Sequence, residues 1–197
     1  MMIVYIIIGL LVLCALYVML TYNGFIRLRN SVHESFSTMD VYLKKRYDLV
    51  PNLVESVKGY AAHEKETLEK VVQARNMAMG AASKTNPGET GTPEQSGMEE
   101  RRQNEAMLSG ALKSLFALSE SYPNLKADSQ FLDLQQQLKK IEEDIAHSRK
   151  YYNAVVKEMN TKVESFPANI IAGMFKFVKA PFFNMEESER GPVAVKF

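Results

Sequence analysis

The side chains able to do chemistry are few and scattered. His63-Glu64 opens like the helical H-E-x-x-H pair that holds zinc beside a general base, but position 67, where the second imidazole must stand one turn on, is Thr67. His33 and His147 complete the three histidines and lie too far off in sequence for a metal site to be argued from spacing. Gly80, Gly88, Gly91 and Gly97 cluster without the Lys-Ser or Lys-Thr ending of a phosphate loop. The one cysteine, Cys14, falls in an uncharged apolar stretch where nothing stabilises a thiolate. A single cysteine also excludes a disulfide framework and a thiolate zinc site within one chain. Glu64, Glu66 and Glu69 fit a solvated helix face better than an acid–base pair. The sequence therefore predicts a non-enzyme with no catalytic residue, no cofactor and no metal. Charge removes another class: 24 Lys+Arg against 23 Asp+Glu leave a net charge of +1, too little field to steer nucleic acid.

The segments that position these residues begin with an anchor. Residues 1–26 carry no charged side chain. Roughly 20 apolar residues at ~1.5 Å each cross a ~30 Å hydrocarbon core, and Ile3 to Tyr22 is a run of that size, with Tyr17 and Tyr22 suited to the headgroup level. Neither a basic segment before the run nor a small-residue cleavage site after it supports a removed signal peptide. Leu13 is too bulky for Cys14 to be a lipid attachment point. Arg27, Arg29, Lys44, Lys45 and Arg46 follow the span and no cation precedes it, which predicts an outside N-terminus and a cytoplasmic C-terminal part.

Beyond the anchor the apolar positions recur at threes and fours: Val32, Phe36, Met39, Leu43, Tyr47, Val50, Val54, Val57, Ala61, then Leu68 and Val71, with Glu64 interrupting. Pro51 sits inside this run, yet the phase continues across it. One long helix, kinked at Pro51 and reaching about Gly80, is favoured over a hairpin turn at Pro51. Residues 81–97 hold two Pro and three Gly and no large apolar side chain, and read as a flexible linker. Another helix runs from about Met98 to Ser121 on Leu108, Ala111, Leu112, Leu115 and Leu118. A longer one runs from about Ala127 to Glu164, from Phe131 through Leu138, Ile145 and Tyr152 to Val163 near a heptad spacing, and Phe166-Pro167 ends it. No stretch alternates well enough for a sheet; Pro192 to Val195 is too short to matter. The expected fold is all-α: an N-terminal transmembrane helix at 1–26, then an antiparallel bundle of long helices over 27–183 containing the linker, then a tail at 184–197.

Three stretches remain as candidate surfaces. Lys44, Lys45 and Arg46, with Asp48, Pro51 and Asn52, form either a helix break with its polar partners or a docking surface for another membrane component. Asn153 and Asn160 fall one heptad apart; Asn on a packed seam fixes register or partner choice at a cost in stability, and an exposed pair is the alternative. The Phe-rich run from Phe166 to Phe183 includes Phe175, Phe177, Phe182 and Phe183 and only Lys176 and Lys179 as charges. A helix there either packs on the bundle, which is favoured because the other helices need a cover, or lies on the bilayer with its lysines at the headgroups.

These segments resemble the LemA family of bacterial membrane proteins. The likeness rests on the short anchor; on Tyr22-Asn23 through Leu28-Arg29-Asn30; on Asp40-Val41-Tyr42-Leu43-Lys44-Lys45-Arg46-Tyr47-Asp48-Leu49-Val50-Pro51-Asn52-Leu53-Val54, continuing through Val57-Lys58-Gly59-Tyr60 to His63-Glu64; and on Tyr151-Tyr152-Asn153 through Asn160 to Phe166-Pro167 and Gly173-Met174-Phe175. Residues 81–97 and the tail after Asn184 carry no clear family pattern. The resemblance implies a single-pass membrane protein with a helical antiparallel bundle and no recognised catalytic residue. It also implies a link with cell-envelope or membrane organisation, magnetosome membranes among them, and a membrane zinc metalloprotease as a partner.

The function expected from the residues and the resemblance together is a membrane-anchored, non-catalytic scaffold or adaptor of the bacterial cell envelope. Its partners are the lipid bilayer, other envelope proteins and a second copy of itself. The alternatives are a membrane-shaping or lipid-binding protein and, ranked last, an enzyme whose Glu or His site is assembled by folding. Limited proteolysis should cut first within residues 81–97. Fragment masses check this, and a first cut between Val32 and Ala61 would contradict it.

Overall fold

The computed structural model describes residues 1–85 and 95–183, and within them the protein is all-α. The helices are α1 (Met2–Lys58), α2 (Lys65–Lys84), α3 (Gln95–Ser119), α4 (Pro123–Lys126), α5 (Ser129–Glu164) and α6 (Ala168–Met174). Both ends of the linker expected at 81–97 are helical. Ala81 to Lys84 complete α2 and Gln95 to Gly97 open α3, while residues 86–94, like the tail 184–197, lie outside the described residues.

One helix serves two environments. Met1 through Tyr17 are exposed on every side, and the apolar window there is long enough to cross a membrane by length and composition. From Thr21 and Phe25 onward α1 buries a single stripe that includes Val32, Phe36, Met39, Leu43, Tyr47, Val50, Leu53 and Val57. Pro51 lies inside α1 on its exposed side. A proline has no amide to give the carbonyl four residues back, which here belongs to Tyr47. That oxygen accepts from the Arg75 Nε of α2 at 2.7 Å instead. The proline thus frees an acceptor that a neighbouring helix occupies.

The long helix expected to reach Gly80 ends at Lys58. Residues 59–64 turn the chain, and α2 returns along α1. Ala61 plugs the turn, 1% exposed, with its amide donating to Val57 O at 2.8 Å. The apolar phase survives because the residues of the turn keep it, so periodicity alone registers no reversal.

Cross-helix contacts set the topology. Along α1 and α5, Phe25 meets Lys162, Phe36 meets Tyr152, Arg46 meets Glu142 and Tyr60 meets Asp128, so the two run antiparallel over most of their length. Lys84 with Glu100 joins the lower ends of α2 and α3, and Glu64 with Tyr122 joins their upper ends. Asp128 caps α5 by accepting from the Phe131 amide at 2.8 Å and also accepts from the Tyr60 hydroxyl at 3.0 Å. Those hydrogen bonds hold its carboxyl below the usual carboxylate range, the Phe131 amide first.

Because α2 and α3 cover α1 only from about Asp40 upward, the lower bundle needs another cover. It comes from α6 and an extended strap at residues 177–183, where the sequence suggested a continuous helix. Helix α6 stops in a Schellman turn: the Phe177 amide donates to Ala172 O at 2.9 Å and the Lys176 amide to Gly173 O at 3.4 Å. Lys176 takes the left-handed position with φ 57°, where glycine is usual. Lys176→Gly should stabilise the protein by about 0.5–1 kcal/mol in denaturant titration, net of the extra freedom of the unfolded glycine. A loss of stability would place the strain elsewhere.

Candidate functional site

Among the described residues, two polar constellations lie inside the bundle and an apolar groove lies on its distal surface. The first is a charged layer at mid-height. Arg46 of α1 is fully buried; its guanidinium pairs with Glu105 of α3 and with Glu142 of α5 at 2.9 Å, and donates to the Ser109 hydroxyl at 3.2 Å. The Tyr47 hydroxyl donates to the other Glu105 oxygen. Arg101 of α3, 1% exposed, pairs with Asp40 of α1 and lies over the Phe36 ring at 5.1 Å. Burial pushes the Asp40 carboxyl up, opposed by Arg101, and pushes the Tyr47 phenol up against both arginines. Burial also pushes the Tyr152 phenol up.

The chemistry of this layer is cohesion. Glu105 is held by an arginine on one oxygen and a phenol on the other, and burial keeps both tyrosines neutral as donors. Helix α1 packs directly on α2 and α5, whereas α3 lies across from it and reaches it with these long side chains. Charged groups buried this way add little net stability over apolar residues and penalise any slip in register.

The second constellation is a clamp. The Asn153 side chain donates to Phe183 O at 3.0 Å and accepts from the Phe183 amide at 2.8 Å. Asn160 does the same to Ala180, at 2.9 and 2.8 Å. Seven residues of helix span ~10.5 Å, and three residues of extended chain span ~10 Å. The two side-chain amides therefore read the strap like a paired strand. Tyr152 adds a bond from its hydroxyl to Pro181 O at 2.8 Å.

The sequence-predicted residues divide accordingly. Lys44, Lys45, Asp48, Pro51 and Asn52 are exposed along one side of α1, with Lys45 over the Tyr42 ring at 5.2 Å. Arg46 does not share that surface. In the Phe-rich segment Phe177 stacks on Phe25 at 4.8 Å, and Phe183, 2% exposed, lies under Arg149, while Phe175 and Phe182 stay largely exposed. Sequence reasoning missed Arg101, Glu105 and Glu142. A signal existed: Arg101, Glu105, Leu108, Leu112 and Leu115 recur at fours and threes, so two charges occupy seam positions, as Arg46 does between Leu43 and Val50.

The groove lies at the far end from the candidate span, between the last turns of α1 and the first half of α2. It encloses about 960 Å³ and is lined by Val54, Leu68, Val72 and Met77 among charged neighbours. Among the described residues, no group of three or more His, Cys, Asp or Glu is placed to hold a metal ion.

An apolar helix continuing unbroken into a bundle with a buried charged layer defines a class of membrane-associated helical-bundle proteins. The LemA family model matches residues 35–197, and the chain belongs to that family. It is 27% identical over 169 residues to Protein LemA of Metamycoplasma hominis, covering 85% of this chain and 71% of that protein. It is 23% identical over 194 residues to each of Magnetosome protein MamQ 2 and MamQ 1 of Paramagnetospirillum magneticum, covering 89% of this chain and 69% of each.

Removing Arg46 takes from buried Glu105 the cation it pairs with, so Arg46→Ala should cost about 3–5 kcal/mol. Arg46→Met combined with Glu105→Leu should recover most of that loss in denaturant titration. A cost under ~1 kcal/mol for the single change would mean the layer is wet.

Proposed function

We propose that this protein is a non-catalytic scaffold, held in a membrane of the cell envelope by the first turns of α1, that presents the membrane-distal end of its bundle to protein partners. The observation carrying this reading is the continuity of α1. From Tyr22, where the bare apolar stretch ends, to Val54 at the groove, a helix rising ~1.5 Å per residue runs ~48 Å without a break. A single stiff element thus links the candidate span to an apolar groove and fixes the height at which that groove stands.

The groove suits the apolar face of a partner helix. Val72 and Met77 are each 40% exposed on its wall, and Glu55, Lys58, Lys65 and Glu69 supply a mixed-charge rim. Tethering in two dimensions raises the effective concentration of neighbours, so weak contacts at such a groove suffice. A membrane zinc metalloprotease, other envelope proteins and a second copy of this chain are the partner classes. The cation excess after the span favours an outside N-terminus with the bundle in the cytoplasm.

In-membrane cross-linking with mass spectrometry tests the reading. Val72→Glu with Met77→Glu should abolish cross-links to partners while changing stability by no more than ~0.5 kcal/mol for each exposed site. Undiminished cross-links would move the partner surface elsewhere, and recovery of uncross-linked monomer from the unsubstituted protein would remove the scaffold role. Protease protection in sealed vesicles reads the orientation.

A further inference from the structure

The lower end of the bundle carries features that neither the scaffold role nor the packing of the core uses. Helix α6 is two-faced: Ala168, Ile171 and Ala172 are buried, while Ile170 is 55% and Met174 69% exposed on the other side. Phe166, just before the helix, is 80% exposed. An apolar cluster of this kind is costly in water. Its height is set by Tyr22, whose ring meets Phe175 edge-on at 4.8 Å. Tyr22 is also where the all-round apolar part of α1 gives way to one-sided burial. The outward face of α6 is thus level with the end of the candidate span and continuous with it.

Charge at the same height has one dominant sign. A groove of about 780 Å³ between α1 and α5 is lined by Arg27, Lys157 and Lys162 against one acid, Glu158. Gly24 is part of its lining. A Cβ there would stand 2.0 Å from the Lys162 Nζ, so the missing side chain is what lets that ammonium lie across α1. The same Nζ sits 5.1 Å from the centre of the Phe25 ring and has no carboxylate partner among the described residues. An ammonium held beside an aromatic ring, with two further cations near it at the end of the candidate span, suits an anionic headgroup.

We propose that the lower end of the bundle is a binding site for anionic phospholipid: the Ile170–Met174 side of α6 sinks into the interfacial layer of the bilayer that holds α1, and the groove over Gly24 takes the lipid phosphate. This rests on the membrane anchoring of α1. Its consequence is a second point of attachment. A lone span leaves the bundle free to rotate about the α1 axis, whereas a foot beside it fixes which face the distal groove presents.

The chain has no tryptophan, so a single introduced indole reports alone. The full-length protein is reconstituted in phosphatidylcholine vesicles with and without phosphatidylglycerol, acyl chains brominated for quenching. Indoles are placed one at a time by Leu11→Trp in the span, Met174→Trp in the foot and Met107→Trp, an exposed site on α3 in the upper bundle. The expected result is strong quenching at 11, quenching at 174 that grows with phosphatidylglycerol, and none at 107. Lys162→Gln should raise the phosphatidylglycerol fraction needed for half-maximal quenching at 174 about fivefold, the factor that corresponds to ~1 kcal/mol per surface cation. Quenching at 11 but not at 174 would overturn the foot, and quenching at 174 that ignores phosphatidylglycerol or Lys162 would overturn the anionic site. No quenching at 11 would overturn the anchor, and the foot with it.

Discussion

The constraint on which the rest of the structure depends is that α1 is a single helix with two kinds of surface. Through Tyr17 its side chains are uncharged and exposed on every side. Above Tyr22 they are apolar on one stripe and polar elsewhere, and that stripe must be covered for its whole length. A helix cannot change direction without losing backbone hydrogen bonds, so the direction of the lower part is imposed on the upper part. Every other element is arranged as a cover for the stripe. Helix α5 lies antiparallel along most of it, α2 packs on the upper half with α3 reaching across through long side chains, and α6 with the strap closes the lower half.

The lower cover shows how side chains can replace a helix. An extended segment on a helical bundle has unpaired backbone groups, and burying them without partners costs free energy. Asn153 and Asn160 remove that cost because an amide side chain donates and accepts together, and their spacing along α5 matches the rise of the strap. The side chains of Phe177 and of Phe183, whose backbone Asn153 holds, are buried. The strap therefore behaves as a short strand paired with side chains rather than with another strand.

Polar groups in the upper bundle follow the same logic. Arg46, Glu105 and Tyr47 satisfy one another, and Arg101 with Asp40 repeats the arrangement nearby. In a cleft open to solvent, a similar cluster would be a candidate for acid–base work. Here side chains from α1, α3 and α5 meet with Arg46 and Glu105 buried, and their pairing bears on register. The apolar seams would tolerate a slip of one turn; a layer of matched charges does not.

Much of this was legible in the residues alone. The uncharged opening run can only be matched by a very apolar environment, and steps of three and four require helices whose stripes face one another. The positions of α3 and α5 followed from spacing, and the heptad interval of Asn153 and Asn160 singled them out without deciding between a packed seam and an exposed pair. The reversal at residues 59–64 did not follow from spacing, because a turn that preserves phase leaves the periodicity unchanged. Nor did the burial of Arg46, since a charge on a seam is read as exposed until its partner is known, and Glu105 lies fifty-nine residues away along the chain. The Phe-rich end likewise needed tertiary contacts: its composition suits a helix, a strap or a membrane surface equally, and only the asparagines of α5, by offering hydrogen bonds at the right interval, decide that the backbone there is extended. Local pattern determines what each segment must hide; which surface hides it is decided by long-range pairing, which no local pattern encodes.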